Sequence, residues 1–477
     1  MFREMVAAVL IMASIPGMGD EPPEQPLGVA WSPVYGFSPA QPESVVPLAR
    51  SLGAGSVRVT IYWSQIQPAP GVTRWDVFDA FLAQVDRPDE ATLTIASASP
   101  WATRNPAWVF PSSPATEPAR YEAFVRELVT RVHGRIRRFQ AENEPNNPFF
   151  WAGSADEYAA EQRLFHRAVK AADPAAVVVL GASDGLFDPS GVDPFPGQDG
   201  NLAFVERVVT QAQGAFDLFD LHFYGNPYTI PARVEAVRAL MRAAGDEKPI
   251  VSTEAGGPSF FEFKGNRRLW GALQGPGAGP DSVRALRADG ALPVQTRMFL
   301  HPEDPELARR LSRLQGEDLV VRTLVALASG VRRTAFFELV RDGRSPDAPD
   351  SVLYGHMALF ARNPDGGVVE LPLAATFRRL ADALKGTTAV TRVAIADQPD
   401  VYAYRVTRAG RPDLLVAWRR PPLPGGVAAI AEVVLPAPGG PVAQVVAETI
   451  EGDAVACSAA NEGIRLALSD MPVLIGP

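Results

Sequence analysis

The chain has 477 residues, 47% of them hydrophobic and 21% charged, with a formal charge of −9 and a pI near 5.3. That length is too great for one small domain and suits a large barrel with an extra module. The acidic balance argues against nucleic acid as a partner, since phosphate binding calls for clustered Lys and Arg. With five histidines and one cysteine, a Cys/His zinc site is not expected and a disulfide within the chain is impossible.

The chain opens with Arg3, then an apolar run from Met5 to Ile15, then a turn-prone stretch from Pro16 to Asp20. This is the layout of a secretory signal peptide, despite Glu4 in the charged region. Residues 1–26 are therefore expected to be a signal and leader, and the protein to be secreted or periplasmic. No other run is long and apolar enough to predict a membrane span.

Strand-like runs alternate with helical patterns from about Leu27 to Gly386. The runs are Gly28–Trp31, Ser56–Tyr62, Leu93–Ala98, Ile136–Ala141, Val177–Gly181, Phe216–Phe223, Ile250–Thr253 and Thr334–Leu339. Apolar strands separated by helices mean a parallel sheet covered on both faces, and eight of them predict a closed (β/α)8 barrel, the TIM-barrel form of the α/β class, over residues 27–386. Between them, Pro118 suits a helix first turn ahead of Tyr121, Phe124, Val125, Leu128 and Val132. Ser154–Glu157 is a capping box. Leu319 to Leu327 reads as a helix buried against the barrel. Asp184 to Asn201 and Ala255 to Pro305 read as long loops on the face where barrel enzymes build pockets.

From about Thr387 short strands with Pro/Gly turns take over: Val401–Val406, Leu414–Trp418, Ala428–Leu435, Val442–Ala447, Ile464–Leu468 and Pro472–Ile475. They predict a small C-terminal antiparallel β-sandwich over residues 387–477. No aromatic cluster marks a binding face, so a structural brace is the expected role.

Two glutamates stand at strand ends. Glu144, in Glu142–Asn143–Glu144–Pro145–Asn146, follows the fourth run, and Glu254 ends the seventh. A surface Asn-Glu-Pro turn and a helix-capping glutamate are the bland readings of each alone. Together they match what glycosidic-bond chemistry needs: a neutral acid to protonate the leaving oxygen, and an anion to attack. Phe149, Phe150 and Trp151 are expected to desolvate Glu144 and so to favour its protonated form. The amide of Asn143 is suited to a sugar hydroxyl. His222 and Tyr224 alternate in the sixth run and so share a side; Tyr224 is placed to hydrogen-bond Glu254 and His222 to touch the sugar, against the plain alternative of a satisfied core histidine. Arg58 is a charge inside an apolar strand and needs a carboxylate, for which Glu254 is the candidate. Trp101 offers a face for a sugar ring, or packs beneath a loop.

These residues resemble clan A retaining glycoside hydrolases, the broad group of (β/α)8 glycosidases that includes β-xylosidases, α-iduronidases and many endoglycanases. Asn143–Glu144–Pro145 is similar to the clan's fourth-strand acid/base motif, and Glu254 to its seventh-strand nucleophile. Arg58, His222 and Tyr224 match frequent companions. Trp63–Ser64–Gln65–Ile66–Gln67–Pro68 with Gly71 and Trp75–Asp76 looks like the second-strand segment, and Leu468–Ile475 like the last strand of the appended sandwich. Many members carry tryptophan at the eighth strand tip. Here Phe336–Phe337–Glu338 stands there, which makes Glu338 a candidate substrate contact. The resemblance implies a retaining O-glycosyl hydrolase acting on an oligo- or polysaccharide, with Glu254 as nucleophile and Glu144 as acid/base, and with no metal or organic cofactor. The rival readings are a catalytically silent carbohydrate-binding barrel, a transglycosylase with the same site, and a metal-dependent barrel hydrolase, which the lack of a His-x-His pair disfavours. The sugar, its anomer, exo or endo action and the oligomeric state are not legible.

Overall fold

The computed structural model describes residues 25–31, 45–183, 201–341, 345–363, 367–422, 426–438, 445–460 and 463–477. The leader over residues 1–24 and the loop over residues 184–200 lie outside the described residues, as do the first residues of the strand expected from Val442.

Eight parallel strands close into a barrel: β1 (Leu27–Trp31), β2 (Val57–Tyr62), β3 (Ala91–Ala96), β4 (Arg138–Ala141), β5 (Val177–Ser183), β6 (Leu218–Leu221), β7 (Ile250–Ala255) and β8 (Thr334–Phe337). Closure comes from β1 pairing with β8, Val29 beside Phe336. These are the eight expected runs, with ends displaced by a few residues. β1, β2, β3, β4 and β7 are buried along their whole length. Helices cover the outer face of a parallel sheet while side chains fill the lumen, which is why the strands read as apolar runs. Arg138, which interrupts the fourth run, is buried and paired with Asp89.

The helices obey their sequence signals. Pro118 opens Pro118–Val132, which buries Tyr121, Phe124, Val125, Leu128 and Val132. Ser154 caps Ala155–Ala172 by accepting from the Glu157 amide. The buried segment Leu319–Leu327 belongs to a longer helix, Pro305–Ala328.

The segment from Ala255 to Pro305 corrects the expectation of an unstructured loop. It holds helices Trp270–Leu273, Pro280–Ala288 and Val294–Leu300 and has its own core of Phe260, Phe261, Phe263, Leu273, Val283, Met298 and Phe299. Each helix is too short to carry a clear period, and none of them is long enough to hold without packing. The aromatic side chains supply that packing.

Beyond β8 a small sheet forms from β9 (Val340–Arg341), β10 (Phe360–Arg362) and β11 (Val368–Glu370). The C-terminal part is antiparallel. One sheet runs β12 (Thr387–Val393), β13 (Val401–Arg408), β14 (Leu414–Arg419), β19 (Val473–Gly476), β16 (Val446–Thr449), and the other runs β15 (Ala431–Leu435), β18 (Gly463–Leu468), β17 (Cys457–Ala460). Val401, Ala403, Leu415 and Ala417 from the first pack with Val433, Leu435, Ile464 and Leu466 from the second. Trp418 donates through Nε1 to the Tyr228 hydroxyl at 2.9 Å, tying this sheet to the segment after β6.

Candidate active site

Arg58 of β2 and the C-terminal ends of β4, β6 and β7 meet in one buried polar cluster. Arg58 is the second residue of β2, 2% exposed, with its side chain among lumen groups. Its Nη1 donates to Glu254 Oε2 at 2.7 Å and its Nη2 to Asn143 Oδ1 at 2.5 Å. Its Nε donates to Thr94 Oγ1 at 2.9 Å and Gln140 Oε1 at 3.2 Å. A buried guanidinium needs this many acceptors, because each unsatisfied donor in the lumen carries a desolvation cost. Tyr224 donates its hydroxyl to Glu254 Oε1 at 2.6 Å. Burial, and then the Glu254 charge, push that phenol well above its ordinary pKa, so it stays a donor.

Glu144 follows β4 and is 5% exposed. Its Oε1 sits 2.6 Å from His222 Nδ1. The backbone at Glu142 and Glu144 is left-handed, with φ of 62° and 42°. Non-glycine residues adopt that region at a cost of about 1–3 kcal/mol each, and such strain collects at functional sites. It turns the Glu144 carboxyl back toward the lumen.

His222 Nε2 lies 3.6 Å from Asp220 Oδ2. Burial works against charge on the ring. The Glu254 charge, the Asp220 carboxylate 3.6 Å away and the hydrogen bond at Glu144 outweigh it and push the pKa up to about 10. Asp220 is itself wholly buried. It accepts from the Thr253 amide at 2.8 Å and from Gln140 Nε2 at 2.5 Å, and from the Thr253 hydroxyl. Burial opposes its charge, yet His222 and Arg58 hold its pKa below the ordinary carboxylate value.

One ligand atom each from Glu144, His222 and Glu254 lies within 4.8 Å of the others. Three such donors could in principle hold a metal. The raised pKa of His222 leaves a protonated ring with no lone pair to give, and both Glu254 oxygens already accept protein donors. The donor set suits protons better than a cation.

Arg58, Asn143, Glu144, His222, Tyr224 and Glu254 thus meet, as the alternation of the sixth run and the lone charge in the second suggested. Trp101 is half-buried; its Nε1 donates to the Gln67 carbonyl at 2.9 Å and its ring packs on Trp63 at 5.8 Å. Glu338 is half-buried just beyond β8, where its charge acts on Arg341 and its amide donates to the Met357 carbonyl at 2.5 Å. Sequence reasoning missed Thr94, Gln140, Thr253 and Asp220. The last was legible, since Asp220, His222 and Tyr224 alternate on one side.

No protein-family profile and no curated protein matches the sequence. Solved structures do match the fold. A family 39 glycoside hydrolase from the gut symbiont Bacteroides cellulosilyticus WH2 superposes with a TM-score of 0.62 at 15% identity, covering 97% of this chain and 83% of that one. A monomeric beta-xylosidase from Caulobacter crescentus CB15 gives 0.56 at 14%, covering 94% and 95%. AbfB, a family 51 alpha-L-arabinofuranosidase from Bifidobacterium longum, gives 0.55 at 13%, covering 95% and 96%. The chain shares the fold of the clan A glycoside hydrolases. At these identities the likeness is one of architecture, and chemistry has to be argued from the site.

Proposed function

We propose that the protein is a retaining glycoside hydrolase that cleaves O-glycosidic bonds of an oligo- or polysaccharide. The observation that carries this is the pair of carboxyls from the ends of β4 and β7, with one oxygen of each within 4.8 Å and with unlike partners. Double displacement works with carboxyl groups about 5–5.5 Å apart, whereas inversion needs room for a water between them.

In this reading Glu254 attacks the anomeric carbon as the glycosidic C–O bond breaks, and Glu144 gives its proton to the departing oxygen. Glu144 then takes a proton from the water that attacks the same carbon, and Glu254 is released. Arg58 and Tyr224 aim the two Glu254 oxygens, and the imidazolium of His222 holds Glu144. The Asn143 carbonyl oxygen is taken by Arg58, which leaves its NH2 group for a sugar hydroxyl. Glu338 and Trp101 border the site as further substrate contacts. Residues 27–386 form the catalytic barrel and 387–477 the brace. Export through the run Met5–Ile15 goes with this reading. Among the described residues no helix is long and apolar enough to cross a membrane.

The test is a panel of chromogenic glycosides and soluble polysaccharides, with the anomer of the first product followed by NMR. Retention is expected, and Glu254→Ala is expected to lose several orders of magnitude in kcat with an unchanged circular dichroism spectrum. Inversion, or normal turnover in that variant, refutes the assignment. Analysis with a labelled sugar acceptor separates hydrolysis from transglycosylation.

A further inference from the structure

Only three Phe, Tyr or Trp side chains among the described residues are exposed: Trp108 at 59%, Phe149 at 62% and Tyr354 at 38%. All three follow C-terminal strand ends, on the face that carries the carboxyls. Trp108 is in the segment after β3, Phe149 in the segment after β4, and Tyr354 beyond β8, edge-on to Phe337 at 6.5 Å. Large exposed rings are uncommon on soluble proteins, and their gathering at one rim marks a binding surface.

One of them, Phe149, ends a continuous aromatic path that starts near the carboxyls. Tyr62, at the end of β2, lies where the charges of Arg58 and Glu254 act on its hydroxyl. Phe110 packs edge-on to Tyr62 at 5.2 Å. Phe149 lies 5.7 Å and Phe150 4.7 Å from Phe110. The backbone at Phe149 is tied to that of Glu144. The Asn147 amide donates to the Glu144 carbonyl at 2.8 Å, and the Phe149 amide donates to Asn147 Oδ1 at 3.0 Å. Trp108 is pinned by its carbonyl, which accepts from the Ser64 hydroxyl.

We propose that Phe149 and Phe110 form a stacking platform for the first sugar ring of the leaving group. The proposal rests on the hydrolase reading and names its substrate class: a chain of at least two sugars, engaged on the leaving-group side of Glu144. Glu144 and Phe149 share one turn, which puts the platform beside the acid. A pyranose offers a flat C–H face to a ring and hydroxyls at its edge. Nearby in the chain, Arg104 pairs with Glu157 and donates to the Ala152 carbonyl at 3.0 Å, two residues past Phe150.

The experiment compares two substrates that share the sugar of the best chromogenic glycoside: a disaccharide and the glycosyl fluoride, whose leaving group reaches no platform. Phe149→Ala is expected to lower kcat/KM for the disaccharide about tenfold more than for the fluoride, in keeping with the strength of ring stacking, and Phe149→Tyr to restore the ratio. Calorimetric binding of the disaccharide to Glu254→Ala is expected to weaken about tenfold when Phe149→Ala is added. This measurement reads binding without turnover, so it judges the platform separately from the rate comparison. An equal fall for both substrates with unchanged binding overturns the proposal. A fall for the p-nitrophenyl glycoside without one for the disaccharide makes the occupant an aryl group and overturns the sugar assignment.

Discussion

Replacing Asp220 by asparagine keeps the size of a buried side chain and removes its charge. The wild-type His222 pKa is raised from 6.5 to about 10. A histidine raised in this way stabilises the folded state fully below 6.5 and gives that stability up as pH climbs through about 10. The full shift corresponds to about 5 kcal/mol. The Glu254 charge is the largest of the influences that raise it, and Asp220 supplies two of the smaller ones, so Asp220 acting through His222 carries a part of that pH-dependent stability. Asp220 is held below its ordinary pKa, so it stays ionised across this window and adds no slope of its own. The lost ionic hydrogen bonds at Thr253 and Gln140 add a pH-independent cost of about 1–3 kcal/mol. Urea unfolding of both proteins between pH 6 and 10.5 measures the difference, and groups common to both cancel. The gap is expected to be largest near pH 6.5 and to shrink toward pH 10 by a part of that roughly 5 kcal/mol. A constant gap refutes the claim that Asp220 sustains the imidazolium.

Tyr224→Phe removes one of the two donors on Glu254 and leaves the ring packing; kcat is expected to fall by about 10²-fold, with a stability loss of about 1–3 kcal/mol, checked by steady-state kinetics and thermal melting. A variant with wild-type kcat would show that the phenol does not aim the nucleophile. Trp418→Ala removes a wholly buried ring that packs on Tyr402 at 5.8 Å and Tyr404 at 5.4 Å and donates to Tyr228. A loss of about 3–5 kcal/mol is expected in urea unfolding, and a loss under about 1 kcal/mol would show that this contact does not brace the barrel.

Periodicity carried most of the architecture, for reasons visible in particular elements. β2 and β3 are buried throughout, so their sequences, VRVTIY and ATLTIA, read as short apolar runs. The same burial hid part of the site. Thr94 and Gln140 point into the lumen and carry Arg58, but a polar residue in a barrel strand does not announce which face it occupies. Arg58 was legible because a lone charge in such a strand demands a partner. β12 was not, since Thr387–Val393 is mostly exposed and lacks an apolar face to read. The packed insertion after β7 failed for a related reason: its order comes from Phe–Phe contacts between short segments, such as Phe260 with Phe299 at 5.2 Å, and not from a repeat within any one segment.

What makes two identical side chains unlike is the donor each oxygen meets. Glu254 accepts from a guanidinium at one oxygen and from a phenol at the other. Asp220 likewise accepts at both oxygens, from Thr253 and Gln140. Glu144 meets a different partner, the His222 ring, whose Nδ1 lies 2.6 Å from its Oε1. In the proposed reading, the nucleophile is the carboxyl held by Arg58 and Tyr224, and the acid is the one beside His222.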